Sequence, residues 1–285
     1  MIRVFVAFII FLPSLAWAAD GRCSRIVSLA PSVTEVLFDV GLGDRVVGVT
    51  HYCRFPLEAK HREQIGGFYD INVEKIVSLR PDLVVALPEH ASIRQALERL
   101  RVPVLQVDHA TVSGIKESFR TISHRCGNED KADARLAELS RREESLRTRF
   151  DEPDVLRTLV VVGRTHEGSS VSSIYVSGND GFYSSVLSLL GMKNVNADST
   201  ISLPTISPEG ILALNPDLIV EVVGQDDPIG AADRKALWNR YPQLPAVKRG
   251  RVVVLSSDYA TIPGPRYVEL AEDLAQAVYR AGGEK

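Results

Sequence analysis

Residues 72–86 read NVEKIVSLRPDLVVA, and residues 207–221 read SPEGILALNPDLIVE. Laid one on the other without a gap, the two stretches share Glu, Ile, Leu, Pro, Asp, Leu and Val at matching places, which chance explains poorly over so short a window. Each opens on a residue whose side chain can cap a helix, Asn72 or Ser207, and each carries a proline, Pro81 or Pro216, that ends the helix before it. The apolar run that follows has the length of a buried strand. Helix, Pro-Asp turn and strand are common parts of α/β proteins. Present twice in one chain, they imply two homologous lobes.

The first copy sits in a longer alternation. Residues 25–50, RIVSLAPSVTEVLFDVGLGDRVVGVT, read as strand, helix and strand. Ser32 and Glu35 have the spacing of a capping box, and Gly41 supplies the stop. A helix at 73–79, a strand at 83–86, a helix at 92–100 and a strand at 102–107 follow. Strands alternating with helices build a parallel sheet covered on both faces. Residues 128–150 contain neither Gly nor Pro, and Leu136, Leu139, Leu146 and Phe150 stand near helical spacing, so one helix of about six turns is expected. Its many Arg and Glu side chains suit a solvated face laced with i,i+4 pairs. The expected fold is α/β: two Rossmann-like parallel-sheet lobes joined by one long α-helix. The N-terminal lobe falls at 20–127, the linking helix at 128–150 and the C-terminal lobe at 151–285. A stiff helix between lobes favours a modest rocking over a wide hinge closure.

The chain begins MIRVFVAFIIFLPSLAWAAD, with Arg3 ahead of an apolar run that breaks at Pro13 and small residues at Ala16 and Ala18. That is the pattern of a cleaved signal peptide, residues 1–19, and it directs the chain to the periplasm. Asp20, Gly21 and Arg22 precede Cys23 where a lipoprotein signal carries small residues. A net charge of −3 without Lys/Arg stripes gives no electrostatic case for nucleic acid. Cys23, Cys53 and Cys126 allow at most one internal disulfide, spacing does not choose the pair, and no C-x-x-C spacing points to a metal.

No phosphate-binding loop, nucleophile elbow or H-E-x-x-H helix is present, and Gly41, Gly43 and Gly48 do not make a dinucleotide fingerprint. No catalytic residue, metal site or cofactor is therefore expected. His51, His109 and His166 could converge on zinc or manganese, which keeps a metal receptor open beside an α/β enzyme of unknown reaction.

The opening at residues 25–49, the segment THYCRFP at 50–56, the two Pro-Asp motifs and the tail PGPRYVELAEDLA at 263–275 together resemble the substrate-binding proteins of ABC importers for cobalamin, haem and iron-siderophores. The resemblance spans nearly the whole mature chain and is closest to the cobalamin-binding branch. It implies a periplasmic monomer that captures a metal-chelate ligand between its lobes, a corrinoid first and haem or a ferric siderophore next. It further implies delivery to a permease dimer of an ABC importer. Loops beyond the strands carry Tyr52, Phe68, Tyr175 and Tyr259, at positions that look equivalent to cleft-lining residues of that branch, and aromatic faces suit a flat macrocycle. Where the branch is expected to carry tryptophans, this chain has Leu87 and Leu203. Asp258 and Arg266 can bond polar groups of a cargo, although Arg266 can equally anchor the last helix. Glu74 and Glu209, at one place in the two repeats, would meet basic residues of the permease pair, or serve only the dipoles of their own helices.

Overall fold

The structure, a computed structural model, describes residues 23–149, 155–167, 170–179, 181–224 and 228–283. The signal sequence read at 1–19 and Phe150 lie outside the described residues. The first lobe is a parallel sheet of β1 (Ile26–Ser28), β2 (Val46–Val49), β3 (Glu63–Gln64), β4 (Leu83–Ala86) and β5 (Val104–Gln106), in the order β3-β2-β1-β4-β5. Its central strands β1 and β4 are buried along their whole length, as strands covered by helices on both faces must be.

The second sheet comprises β6 (Arg157–Glu167), β7 (Ser170–Val176), β8 (Lys193–Asn194), β9 (Thr205–Ile206), β10 (Leu218–Val222) and β11 (Val252–Leu255). Its order is β11-β10-β6-β7-β9, with β8 beside the start of β6. Strands β11, β10, β6 and β8 run parallel as expected; β7 and β9 run antiparallel, so this sheet is mixed. The reason is chain length. Too few residues separate Glu167 from Ser170 for a crossover, and so short a connection joins only antiparallel strands.

The repeat is structural as well as textual. Asn72 caps helix Val73–Ser78 by accepting from the Lys75 N–H at 2.8 Å, and Ser207 caps Pro208–Leu214 by accepting from the Gly210 N–H at 3.2 Å. At the other end Arg80 and Asn215, equivalent in the alignment, both turn left-handed, with φ of 48° and 47°. In each copy an arginine at the head of the neighbouring strand donates to the last helical carbonyls: Arg25 to Leu79 at 2.7 Å and Arg157 to Leu214 at 2.9 Å. A cation on orphan carbonyls closes the helix, and the Pro-Asp turn then feeds the strand.

The capping box read at Ser32 and Glu35 does not form. Ala30 is the N-cap of helix Pro31–Asp39 and makes no side-chain cap bond. Both side chains are buried and spend their bonds on distant partners, His109 for Ser32 and Arg266 for Glu35.

The linking helix runs Glu129–Arg149 and buries Ala132, Leu136, Leu139, Glu143 and Leu146. Burying each of those leucines contributes roughly 2 kcal/mol. Helix Val112–Cys126, which the sequence reading left unassigned, packs against it after a left-handed turn at Gly127. The charged face is less solvated than expected: Arg135 pairs with Asp39 of the first lobe, and Arg142 pairs with Glu269 and Glu272 of the last helix, Tyr267–Gly283. One continuous apolar core runs from Ile26 through Phe119 and Leu139 to Phe182 and Tyr267, so both lobes lean on the strut. Cys23 and Cys126 form the disulfide, which fastens the head of β1 to the end of the second of these helices, while Cys53 is a buried free thiol.

Candidate functional site

In the first sheet the chain order reverses between β1 and β4, and the loops beyond the carboxyl ends of strands at such a point form a crevice. Here that crevice faces the corresponding ends of the second sheet, and together they enclose a cleft of about 980 Å³. Ser32 follows β1, Tyr52 and Phe55 follow β2, and Leu87 and Glu89 follow β4; across the cleft lie Val162 of β6, Gly224 beyond β10 and Asp258 beyond β11. The repeat extends into the lining. Phe68 and Leu203 occupy equivalent places, four residues before the N-caps of the two motif helices, and so do Glu89 and Gly224.

Tyr52, Phe55 and Leu203 are 55%, 42% and 48% exposed, so each lobe presents uncovered apolar surface to the gap. Apolar surface gathered in a concavity between lobes marks a place where a ligand replaces water. Phe68 is held edge-on by Tyr69, with ring centroids 4.9 Å apart, and is backed by the His90 ring at 4.6 Å. A packed aromatic gives a preorganised face.

The floor of the cleft is polar and fully engaged. Arg266, at the start of the last helix, donates to Glu35 of the first lobe at 2.6 and 3.0 Å and to Asp258 of the second at 2.7 Å. Its guanidinium lies 4.1 Å from the centre of the Phe55 ring and 5.1 Å from that of Tyr259. Burial pushes the Glu35 carboxyl up to about 7, more than the bond and charge of Arg266 pull it down. His109 is buried beside it. The single hydroxyl proton of Ser118 goes to the Ile115 carbonyl, so Ser118 accepts from His109 Nε2–H, and Nδ1 accepts from Ser32. Burial pushes the imidazole down to about 4, which keeps it neutral.

A two-lobed α/β chain with an apolar cleft at its strand ends is a carrier's architecture, and the model of the periplasmic binding protein family matches residues 26–259. The chain belongs to that family. An ABC transporter substrate-binding lipoprotein of Bacillus subtilis is 34% identical over 266 residues, covering 90% of this chain and 80% of the relative. A vitamin B12-binding protein of Vibrio cholerae is 27% identical over 276 residues, covering 96% of each. The solved periplasmic vitamin B12-binding protein of Vibrio cholerae superimposes with a TM-score of 0.76 at 26% identity, over 92% of this chain and 98% of that one. The haem-binding protein of Roseiflexus sp. RS-1 shares the fold, with a TM-score of 0.75 at 24% identity, over 91% and 99%.

Of the aromatics singled out in this binding protein, the structure brings Tyr52 and Phe68 to the cleft, and with them Asp258, Leu87 and Leu203. Tyr175 stands elsewhere. It lies on β7 with its ring over Gly163, opposite Thr205, outside the lining. Tyr259 is not among the lining residues: its hydroxyl donates to Asp273 at 2.6 Å and its ring backs Arg266. Glu74 and Glu209 are exposed in the first turns of their helices, and neither has an ion-pair partner among the described residues. The Glu209 carboxyl is held below its ordinary value by its own backbone N–H and by the Ser207 hydroxyl. The sequence reading missed Phe55, Glu35 and His109 as parts of the site, although Phe55 stands within the quoted THYCRFP. Of the histidines read as candidate metal ligands, His51 pairs with Gln64 at 2.7 Å and His109 with two serines, while the His166 side chain is outside what is described. Among the described residues no three His, Cys, Asp or Glu side chains gather as metal ligands.

Proposed function

We propose that this chain is a carrier, not an enzyme, that captures a metal-chelate nutrient in the periplasm and hands it to the permease dimer of an ABC importer. A corrinoid is the first candidate cargo, and haem or a ferric siderophore the next. The observation that carries the reading is the cleft itself, with Tyr52, Phe55 and Phe68 presented by one lobe and Leu203 by the other. Tyr52, Phe68 and Asp258 are the proposed ligand contacts retained from the sequence, with Phe55, Leu87 and Leu203 added. The vitamin B12-binding relatives support the corrinoid, and the haem-binding neighbours support the fold. The mature carrier acts as a monomer, exported by cleavage of residues 1–19, with lobes at 20–127 and 151–285 and the strut at 128–150.

Glu74 and Glu209 are the proposed docking acids. Each follows a cleft-lining residue, Phe68 or Leu203, by the same interval of sequence and is exposed, which supports reading them as one carboxylate per lobe. A two-fold permease pair met by a pseudo-symmetric carrier needs one matching contact on each side. Exposed charges of this kind steer and orient docking more than they add affinity. The test is transport in reconstituted vesicles. Replacing Glu74 and Glu209 together by Ala should preserve cargo affinity and melting temperature while cutting uptake and carrier-stimulated ATP hydrolysis about tenfold or more. Normal transport by the double variant would leave the two acids as helix-end electrostatics alone.

A further inference from the structure

We infer that His90, which lies behind the cleft wall and outside its lining, is a positioning residue for cargo: its imidazole holds the Leu87–Glu89 turn and the face of Phe68 in one arrangement, and a proton added to it in mild acid loosens the grip. The inference rests on the carrier reading above and adds a control to it.

His90 joins β4 to helix Ala91–Arg99 and is 2% exposed. It stands at the N-cap of that helix, yet its side chain makes no cap bond there. The ring turns back instead. Its Nδ1 accepts the Leu87 backbone N–H at 3.1 Å, while the His90 backbone N–H donates to the Leu87 carbonyl at 3.0 Å. The turn that puts Leu87 and Glu89 into the lining is thus closed twice over. The same ring backs Phe68, with centroids 4.6 Å apart, so three lining residues on two separate loops depend on one buried side chain.

A backbone N–H can only donate, so Nδ1 is bare and the proton of the neutral ring sits on Nε2. Nε2 is buried and completes no hydrogen bond among the described residues. A phenyl ring would avoid that orphan donor but would leave the Leu87 N–H without its acceptor. Protonation fills Nδ1 and sets two donors, its own N–H and that of Leu87, against each other. Burial holds the ring neutral, outweighing Glu89 on the same turn and the Phe68 backbone, which both favour the charged form. The other ionisable groups on the neighbouring segments are exposed or paired: Tyr69 and Asp70 beside Phe68 are exposed, and Arg94 on the following helix bonds Glu98 at 2.9 Å. Cargo laid on Phe68 shuts water out of this wall further, so the bound chain resists the proton more than the free one. Affinity is therefore full above the ordinary histidine value of 6.5 and falls as pH drops below it.

The experiment titrates the mature full chain with cyanocobalamin, or with haem or ferrichrome where one of these binds instead, at about pH 7.5 and about pH 5. Wild type, His90→Asn and His90→Phe are compared, with melting temperatures as the check on folding. Asparagine offers an acceptor in place of Nδ1 but takes up no proton; phenylalanine keeps a ring and has no acceptor. Wild-type affinity should fall about threefold or more in acid, and His90→Asn should lose most of that fall. At neutral pH His90→Phe should bind about tenfold more weakly than wild type, and His90→Asn should bind more tightly than His90→Phe. A second measurement needs no variant: NMR of isotope-labelled histidine in the wild-type chain should show the His90 titration moving to lower pH when the same probe is added. A titration that the probe does not move, or an acid response unchanged in His90→Asn, overturns the inference and leaves the carrier reading standing. Failure of all three probes to bind overturns both.

Discussion

Arg266 reaches back 231 positions to Glu35, and their two hydrogen bonds, of 2.6 and 3.0 Å, tie the last helix to the first helix across the floor of the cleft. The joint is tight in the backbone as well, because a Cβ on Gly264 would stand 3.2 Å from the Cβ of Ser32. The lobes are therefore held at two places, along the linking helix and at this joint.

Arg266→Leu should cost about 3–5 kcal/mol in urea unfolding, because it strands the buried Glu35 carboxylate without its cation. The double variant Glu35→Leu with Arg266→Leu should recover a large part of that loss, since no buried charge is left unpaired. A double variant as unstable as the sum of the singles would show that the pair adds nothing beyond packing.

Stability against pH carries a second signature. Glu35 is raised from 4.5 to about 7, so the folded chain holds this proton more tightly, and its contribution is present in acid and is lost as pH climbs through that window. His109 is lowered from 6.5 to about 4, so its contribution is present above 6.5 and is lost as pH falls toward 4. Each slope is at most about 1.4 kcal/mol per pH unit, and the two oppose each other where they overlap. Urea midpoints between pH 4.5 and 6.5 should rise with pH in Glu35→Gln and fall with pH in His109→Gln. Parallel profiles for the two variants would contradict this assignment.

The repeat, the parallel first sheet and the linking helix were legible because each rests on local patterning. The antiparallel β6–β7 pair could have been read from its short connection. Helix Val112–Cys126 also left a signal, apolar residues at Val112, Ile115, Phe119, Ile122 and Cys126 at alternating three- and four-residue steps, which Gly114 interrupts only in composition. The cleft floor was not legible. Ser32 and Glu35 satisfy a local rule that burial overrides, and nothing near Glu35 in the chain announces Arg266. Tyr52 and Tyr175 look alike as loop aromatics, and only the hairpin's packing separates them.

The Cys23–Cys126 bridge closes a loop of 103 residues, for which chain entropy suggests a contribution of up to about 4–5 kcal/mol. Reductant, or Cys23→Ser with Cys126→Ser, should lower the urea midpoint accordingly. Cys53→Ala, which removes a buried thiol whose pKa burial raises, should leave the response to reductant intact. A wild-type midpoint indifferent to reductant would contradict the bridge's role.

Truncating the cleft aromatics tests the site itself. Tyr52→Ala and Phe68→Ala should each weaken cargo binding by about 1–3 kcal/mol while leaving the fold in place. Tyr175→Ala, outside the lining, should bind as wild type does. Equal losses in all three would mean that the hairpin reaches the cargo.

The most direct measurement is calorimetric titration of the mature chain with cyanocobalamin. The account predicts one ligand per chain, a Kd tighter than about 10 µM (near −7 kcal/mol), and a negative heat-capacity change as apolar cleft surface is covered. Absence of binding at that level by cyanocobalamin, haem and a panel of ferric siderophores alike would contradict it.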